Sequence, residues 1–192
     1  MALLTGSNKI KTAVFISGTG SNLKSLIQFS KLKKSPITIE MIISNNAKSK
    51  GLQYAKIYKI KKKVFDFKNT LSDKKIIHEL KKNNINLICL AGFMKILSNN
   101  FIKSFRGKIL NIHPSLLPKF KGLNTHERAI KNNEIYSGCT VHFVNSKLDA
   151  GKIILQKRVK IYKNDTPKQL AKRVLLQEHI LYPKAILKIF NP

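Results

Sequence analysis

The chain is predicted to be an α/β protein, a single domain on a mostly parallel central sheet with helices on both faces. Three observations predict this. Apolar, β-branched runs alternate with helical patterns through the first half of the chain. One run, residues 86–91 (NLICLA), is apolar throughout, as a strand covered on both faces must be. A length of 192 residues suffices for one domain with a substantial core, and not for two comfortable ones.

Element by element, residues 12–17 (TAVFIS) read as a buried strand and 21–30 as the helix that follows it. Strands at 37–44 and 63–67 alternate with helices at 50–58 and 71–83, and the apolar strand at 86–91 comes next. Strand-helix-strand repetition implies right-handed crossovers. The second half supplies a strand at 108–112, a short helix at 125–131, and strands at 138–145 and 152–161 joined by the loop 146–151. A last helix opens at Asp165-Thr166-Pro167. Proline suits the first helical position, and Gln169 stands at capping-box spacing from Thr166. It is expected to run through Glu178 towards Phe190, with an interruption at Pro183. Residues 1–10 read as a disordered lead-in and 11–192 as the folded domain.

Composition bounds the function. No apolar run reaches the roughly 18 residues of a membrane span, and the N-terminal stretch lacks the pattern of a signal peptide. Cys89 and Cys139 each sit inside an apolar run, with a spacing that suits neither a disulfide framework nor a zinc site, so a reducing cytoplasm is expected. No histidine pair has the spacing of a helical zinc motif, and no metal is assigned. The net charge of +28 would attract polyanions. Of the 37 basic residues, however, only Arg106, Arg128, Arg158 and Arg173 are arginine, leaving 33 lysines scattered over every segment. Sequence-specific nucleic-acid readers favour arginine for its bidentate fork. Lysine, asparagine and isoleucine share A/T-rich codons, and their joint abundance reads as genome bias. No specific nucleic-acid partner is expected, although the charge would help steer an anionic substrate.

Two segments carry chemistry. Ser17-Gly18-Thr19-Gly20-Ser21-Asn22 turns from the first strand into the first helix, where glycines permit a tight turn and helix-start N–H groups can hold a phosphate. A dinucleotide site would want a third glycine and a carboxylate closing the second strand, which instead ends Ser44-Asn45-Asn46. A monophosphate site fits better. The second segment, Asn111-Ile112-His113-Pro114, leaves a strand directly. Asn111 and His113 are two apart, so both project to one face of an extended chain at the carboxyl end of a strand, where open α/β sheets place ligands. An amide donor beside an imidazole suits acyl transfer: asparagine stabilises an oxyanion and histidine moves the proton. Acidic residues are scarce. Asp149, in a loop between two strands, would raise the pKa of an adjacent imidazole and favour its cation. His142 is expected to point from its strand near the same site and reads as a structural histidine, with a supporting role only as family resemblance would allow. His78, His126 and His179 read as structural.

Taken together, Ile16-Ser17-Gly18-Thr19-Gly20-Ser21-Asn22-Leu23, Leu90-Ala91-Gly92-Phe93-Met94, Asn111-Ile112-His113-Pro114-Ser115-Leu116-Leu117-Pro118, Leu148-Asp149 with Gly151, Gln177-Glu178-His179 and Tyr182-Pro183 resemble the phosphoribosylglycinamide formyltransferase family. The match runs from about residue 11 to the last helix. The resemblance implies a Rossmann-like formyltransferase domain, the donor 10-formyltetrahydrofolate and the acceptor glycinamide ribonucleotide of purine synthesis. It implies catalysis by Asn111, His113 and Asp149 through direct attack, and a monomer or weak homodimer. Gly20, Ser21 and Asn22 would hold the acceptor's phosphate, with Gln177 and Glu178 also on the substrate side. Met94, Lys95, Ile96 and Leu97, and the loop Asn145, Ser146, Lys147, Leu148 and Asp149, would border the folate, joined by Asn111. Lys68 or Asn69 falls where the family usually has an arginine, and Ala150 replaces a common glycine. Methionyl-tRNA formyltransferase would usually have glycine at the place of Pro114, and formyltetrahydrofolate hydrolase a second histidine. Both commonly carry an additional domain. A nucleic-acid binder on the same fold would need neither Asn111 nor Asp149.

Overall fold

The structure, a computed structural model, describes residues 9–67 and 70–190. One seven-stranded sheet runs in the order β3-β2-β1-β4-β5-β6-β7. Its strands are β1 (Ile10–Ile16), β2 (Ile37–Ser44), β3 (Lys61–Val64), β4 (Leu87–Leu90), β5 (Lys108–His113), β6 (Tyr136–Phe143) and β7 (Ile153–Lys160). The first five strands are parallel, and β6 and β7 close one edge as antiparallel neighbours. The helices are α1 (Ser21–Ser30), α2 (Gln53–Tyr58), α3 (Thr70–Lys82), α4 (Asn99–Ser104), α5 (Thr125–Lys131) and α6 (Pro167–Phe190), with a 3-10 turn at Lys50–Leu52 before α2. This is the predicted α/β class.

Period-two alternation sorts the strand side chains into two cores. Val14, Ile16, Cys89 and Leu110 face α1 and α6, where Leu23, Leu26, Val174 and Tyr182 meet them. Ala13, Phe15, Ile88 and Ile109 face the other way, onto Ile76 and Leu80 of α3 and Phe101 of α4. Phe15 sits edge-on to Phe67, Phe93 and Phe101 at centroid distances of 5.8, 5.5 and 6.2 Å. That cluster ties β1 to the segments leaving β3 and β4, and truncating Phe15 to alanine should cost about 3–5 kcal/mol. Cys89 and Cys139 are buried free thiols, pushed up to about 12 by burial.

Several boundaries differ from expectation. Ile10 already belongs to β1, so the expected lead-in is shorter, and its residues 1–8 lie outside the described residues. β3 is Lys61–Val64, two residues earlier than read, and all four residues are exposed. Its lysines protect a sheet edge that would otherwise template pairing. α4 was not anticipated; Ser98 caps it by accepting from the Phe101 N–H. α6 does not break at Pro183. A proline removes the hydrogen bond to the carbonyl four residues earlier, which here is His179, and the Ser25 hydroxyl donates to that carbonyl instead at 2.9 Å. The capping box opens α6 as read: the Thr166 N–H donates to Gln169 Oε1 and the Gln169 N–H to Thr166 Oγ1.

Candidate active site

Strand order places the site. β1 leads by α1 to β2 on one side and the chain returns through α3 to β4 on the other, so the carboxyl ends of β1 and β4 flank a topological switch point. The glycine-rich turn sits there. Gly20 is left-handed at φ 77°, and its carbonyl accepts from the Lys24 N–H. A close neighbour shapes the turn: the Gly51 N–H donates to the Gly18 carbonyl, and a Cβ on Gly51 would lie 2.7 Å from Ile16 Cδ1 and 3.0 Å from Gly20 Cα. Only hydrogen at both positions allows this approach. Ser17 donates to Asn45 Oδ1 and accepts from the Met94 N–H, clamping the turn to the loops after β2 and β4.

In the first turn of α1, Asn22 is buried, and its Nδ2 donates to Glu178 Oε2 at 2.6 Å while its Oδ1 has no partner among the described residues. Glu178 comes from the middle of α6, and burial raises its carboxyl above the usual range while the Asn22 bond opposes the shift. Ser21 and Gln177 are half-buried. Lys68 and Asn69 lie outside the described residues.

The second half of the site grows from β5. Ile109 faces the α3–α4 core, so Asn111 and His113 project on that same side, at the strand's end. β6 continues the polar surface: Asn111 lies opposite His142, and His113 opposite Thr140. Asp149 is brought over them by the loop after β6. Asn111 Nδ2 is 3.2 Å from His142 Nε2 and 3.4 Å from Asp149 Oδ1. His113 Nδ1 stands 3.3 Å from Asp149 Oδ2, and His142 Nε2 3.7 Å from Asp149 Oδ1. The three expected catalytic residues therefore form one contiguous group.

Protons can be assigned from partners that only accept. His142 Nδ1 faces the Phe143 carbonyl at 2.8 Å, which puts a proton on Nδ1 and leaves Nε2 to accept from Asn111. His113 Nε2 faces the Phe120 carbonyl at 2.9 Å, and its Nδ1 faces the carboxylate, the acceptor a second proton would use. Phe120 reaches that position in the left-handed region, φ 55°, which costs a bulky residue roughly 1–2 kcal/mol. Against the expectation of a raised value, the His113 pKa is lowered. Burial, which opposes the cation, outweighs the Phe120 carbonyl and Asp149, both of which favour it. For Asp149 burial disfavours the charge, but its polar surroundings, among them the Gly122 N–H at 2.9 Å and His113, hold it below the usual carboxylate range.

The loops expected to border the folate fall on either side. Met94, Lys95 and Ile96 are exposed, whereas Leu97 is buried in the α3–α4 core and offers only its backbone. Asn145 folds the Asp149 loop on itself, accepting from the Lys147 N–H and donating to the Ala150 carbonyl, while Ser146, Lys147 and Leu148 are exposed. Gly151 has no room for a side chain, since its Cβ would fall 1.7 Å from the Phe143 carbonyl oxygen. Two further residues of the site carry a signal in strand alternation. His142 belongs to the polar group, and alternation from Cys139 and Val141 was the available signal. Thr140, next on that face, donates to the Ser115 carbonyl and accepts from the Leu117 N–H, fixing the chain beyond His113. Among the described residues no cluster of histidine, cysteine or carboxylate could hold a metal, and no helix is long and apolar enough to cross a membrane.

Comparison with known proteins gives the family and the fold. The model of the formyl transferase family, Formyl_trans_N, matches residues 10–186. The chain is 46% identical over 182 residues to the human trifunctional purine biosynthetic protein adenosine-3, covering 93% of this chain but only 18% of that protein. It is 45% identical over 180 residues to the phosphoribosylglycinamide formyltransferase of Haemophilus influenzae, covering 92% of this chain and 85% of that enzyme. The crystal structure of phosphoribosylglycinamide formyltransferase from Brucella melitensis superposes with a TM-score of 0.89 at 41% identity, covering 95% of this chain and 96% of that one.

Proposed function

The chain belongs to the formyl transferase family, and from that premise we propose that it transfers the formyl group of 10-formyltetrahydrofolate to the amine of glycinamide ribonucleotide in purine synthesis. The observation that carries the reading is the Asn111–His113–Asp149 group, in which Asp149 lies within 3.4 Å of each of the other two, at the carboxyl end of β5 on the sheet that also presents the glycine-rich turn. In this reading the domain over residues 11–192 divides its work. The first half receives the acceptor's phosphate at Gly20, Ser21 and Asn22, with Gln177 and Glu178 reaching in from α6. The second half, with Met94 to Leu97, the loop 145–149 and Lys68 or Asn69, holds the donor. A cytoplasmic location suits soluble substrates and buried free thiols.

The neutral amine attacks the formyl carbon, a C–N bond forms, and the carbonyl oxygen becomes an oxyanion. Asn111 spends its two amide hydrogens on His142 and on Asp149, and the 3.4 Å contact to Asp149 is the weaker one. An oxyanion would replace it and gain a charge-assisted bond. His113 supplies the second stabilising contact when protonated: Asp149 holds its cation on Nδ1, and its Nε2–H turns from the Phe120 carbonyl to the oxyanion. The bond from carbon to the folate nitrogen then breaks, and the amine's surplus proton passes to that nitrogen by way of His113 or a water on Asp149. No covalent enzyme intermediate is needed.

Following absorbance while mixing 10-formyltetrahydrofolate, glycinamide ribonucleotide and the chain tests this. Turnover that requires the ribonucleotide supports the reading. Folate hydrolysis at the same rate without the ribonucleotide, or none in a folded sample, would overturn it.

A further inference from the structure

We infer that Arg128 of α5 is a positioning residue for the Asn111–His113–Asp149 group: its guanidinium braces the turn from Lys119 to Leu123, which supplies one backbone partner to His113 and another to Asp149. The inference rests on the function proposed above and adds to it a residue that acts only through that turn.

The turn depends on being held from outside. Lys119, Lys121 and Leu123 are exposed, Leu123 to 72%, so apolar burial contributes little to its shape. Phe120 and Gly122 are left-handed at φ 55° and 76°, and so is Asn124, which leads into α5, at φ 55°. Residues other than glycine persist there only where their surroundings over-determine them. Yet the turn delivers two close contacts. The Phe120 carbonyl lies 2.9 Å from His113 Nε2. The Gly122 N–H donates at 2.9 Å to Asp149 Oδ2, the oxygen that stands 3.3 Å from His113 Nδ1. One turn therefore serves both ring nitrogens of His113, the first directly and the second by way of the carboxylate.

Arg128 meets this turn at three places. Helical side chains lean towards the helix N-terminus, so a long one early in α5 reaches back over the segment that precedes it. Nη1 donates to the Lys121 carbonyl at 2.6 Å and to the Leu123 carbonyl at 3.4 Å, and the guanidinium carbon sits 5.3 Å from the centroid of the Phe120 ring. Stacking and donating at once is what a planar, charged fork can do. The Lys121 carbonyl and the Gly122 N–H belong to one planar peptide group. Arg128 holds the oxygen of that plane while its N–H faces Asp149, which fixes the plane and polarises it towards the carboxylate. The other end of the turn has its own anchors: the Ser115 hydroxyl donates to the Lys119 carbonyl at 2.6 Å, and Lys119 Nζ to Glu134 at 2.7 Å. Arg128 holds the stretch between that anchor and α5.

The brace and the bare charge of Arg128 act on His113 with opposite sign. His113 faces Asp149 from its loop, His142 from β6, His126 and Arg128 from α5, and the Phe120 carbonyl. The charge of Arg128 opposes the imidazolium and is the smallest of the influences on His113, whereas the Phe120 carbonyl favours the cation more strongly than Asp149 does. Removing a mere charge would raise the His113 pKa. Removing a brace withdraws the Phe120 carbonyl and slackens Asp149, and the pKa falls.

The test compares wild type, Arg128→Met and Arg158→Met by formyl-transfer kinetics, by NMR titration of His113 and by hydrogen exchange at the Gly122 amide. Arg128→Met keeps an apolar stem near Phe120 and removes the donors and the charge. Its kcat should fall about tenfold, roughly the worth of one charge-assisted hydrogen bond, with KM for both substrates within about twofold. Its His113 pKa should fall, and its Gly122 amide should exchange about tenfold faster. Arg158 on β7 is also exposed, and its loss should leave every readout at the wild-type value; melting curves verify that both variants are folded. Wild-type kcat or unchanged Gly122 exchange in Arg128→Met would overturn the inference. A lower kcat with a raised His113 pKa would reduce Arg128 to a charge acting through space and overturn it as well. An equal loss in Arg158→Met would reduce the effect to net charge. No turnover in a folded wild type would remove the proposed reaction, whereas titration and exchange need no substrate and would still decide whether Arg128 braces the turn.

Discussion

Replacing Asp149 by asparagine keeps its size and the acceptor for the Gly122 N–H while removing one charge. That charge lies 3.3 Å from His113 Nδ1, where Coulomb's law gives about 5 kcal/mol at an effective dielectric of 20 and about 1.3 kcal/mol in bulk water. His113 is already below its ordinary pKa because burial dominates, and Asp149 is one of the two influences holding it up. Without it the imidazolium becomes rarer still, and the oxyanion loses its cationic partner. The expected loss in kcat is about 10²–10⁴-fold, the range for removing a positioned acid–base contribution. Formyl transfer to glycinamide ribonucleotide gives the rate, and a carbon-detected NMR titration of the histidines gives the His113 pKa, which should move further down. A folded Asp149→Asn variant within tenfold of wild-type kcat would refute the reasoning. So would a His113 pKa that stays put or rises.

Three further predictions use other parts of the molecule. Glu178→Gln retains an acceptor for Asn22 and removes a buried carboxylate whose pKa burial has raised; it should stabilise the fold at neutral pH by about 1–2 kcal/mol and raise KM for the ribonucleotide, and an unchanged or lower Tm would contradict it. His113, His126 and His179 all have pKa values lowered by burial, so the unfolded chain binds more protons and stability should fall as pH drops below about 6.5. Glu178 has the opposite sign, its raised value costing stability as pH rises above about 4.5, so urea titrations of Glu178→Gln at pH 7 and pH 5 isolate the histidines; a flat response would exclude their burial. Gly51→Ala places a Cβ against Ile16 and Gly20, so it should cost about 1–3 kcal/mol and raise KM for the ribonucleotide more than it lowers kcat. Equal effects on both donor and acceptor kinetics would argue against a phosphate turn there.

Legibility in the sequence followed physical signal strength. α1, α5 and β2 match their reading end to end, because apolar periodicity and flanking turn residues both mark them. α4 escaped because its six residues, NNFIKS, bury only Phe101, too little for a periodic pattern. The start of β3 is not legible because Lys61 to Lys63 carry no apolar signal; an edge strand needs none. Pro183 was a sound warning answered by a distant residue, since no local pattern announces that Ser25 will take the His179 carbonyl. At the site, Asn111 and His113 were legible as a pair two apart. The strength of burial around His113 was not, because it depends on α5, the Phe120 turn and the Asp149 loop closing together.

The border between the parallel and antiparallel parts of the sheet has a consequence for how this site can change. Asn111 and His113 on β5 meet His142 and Thr140 on β6 as direct cross-strand partners, so chemistry is encoded in the odd–even count of two neighbouring strands. A single inserted or deleted residue upstream in either strand would invert that count and turn the polar side chains of that strand into the α1–α6 core, into the places that Leu110 and Ile112 on β5, or Cys139 and Val141 on β6, now fill. Length changes inside these strands are therefore tolerable only in twos. The loop that carries Asp149 lies outside this constraint, so it is the part of the site that variation can lengthen, shorten or reshape while the β5–β6 floor stays fixed.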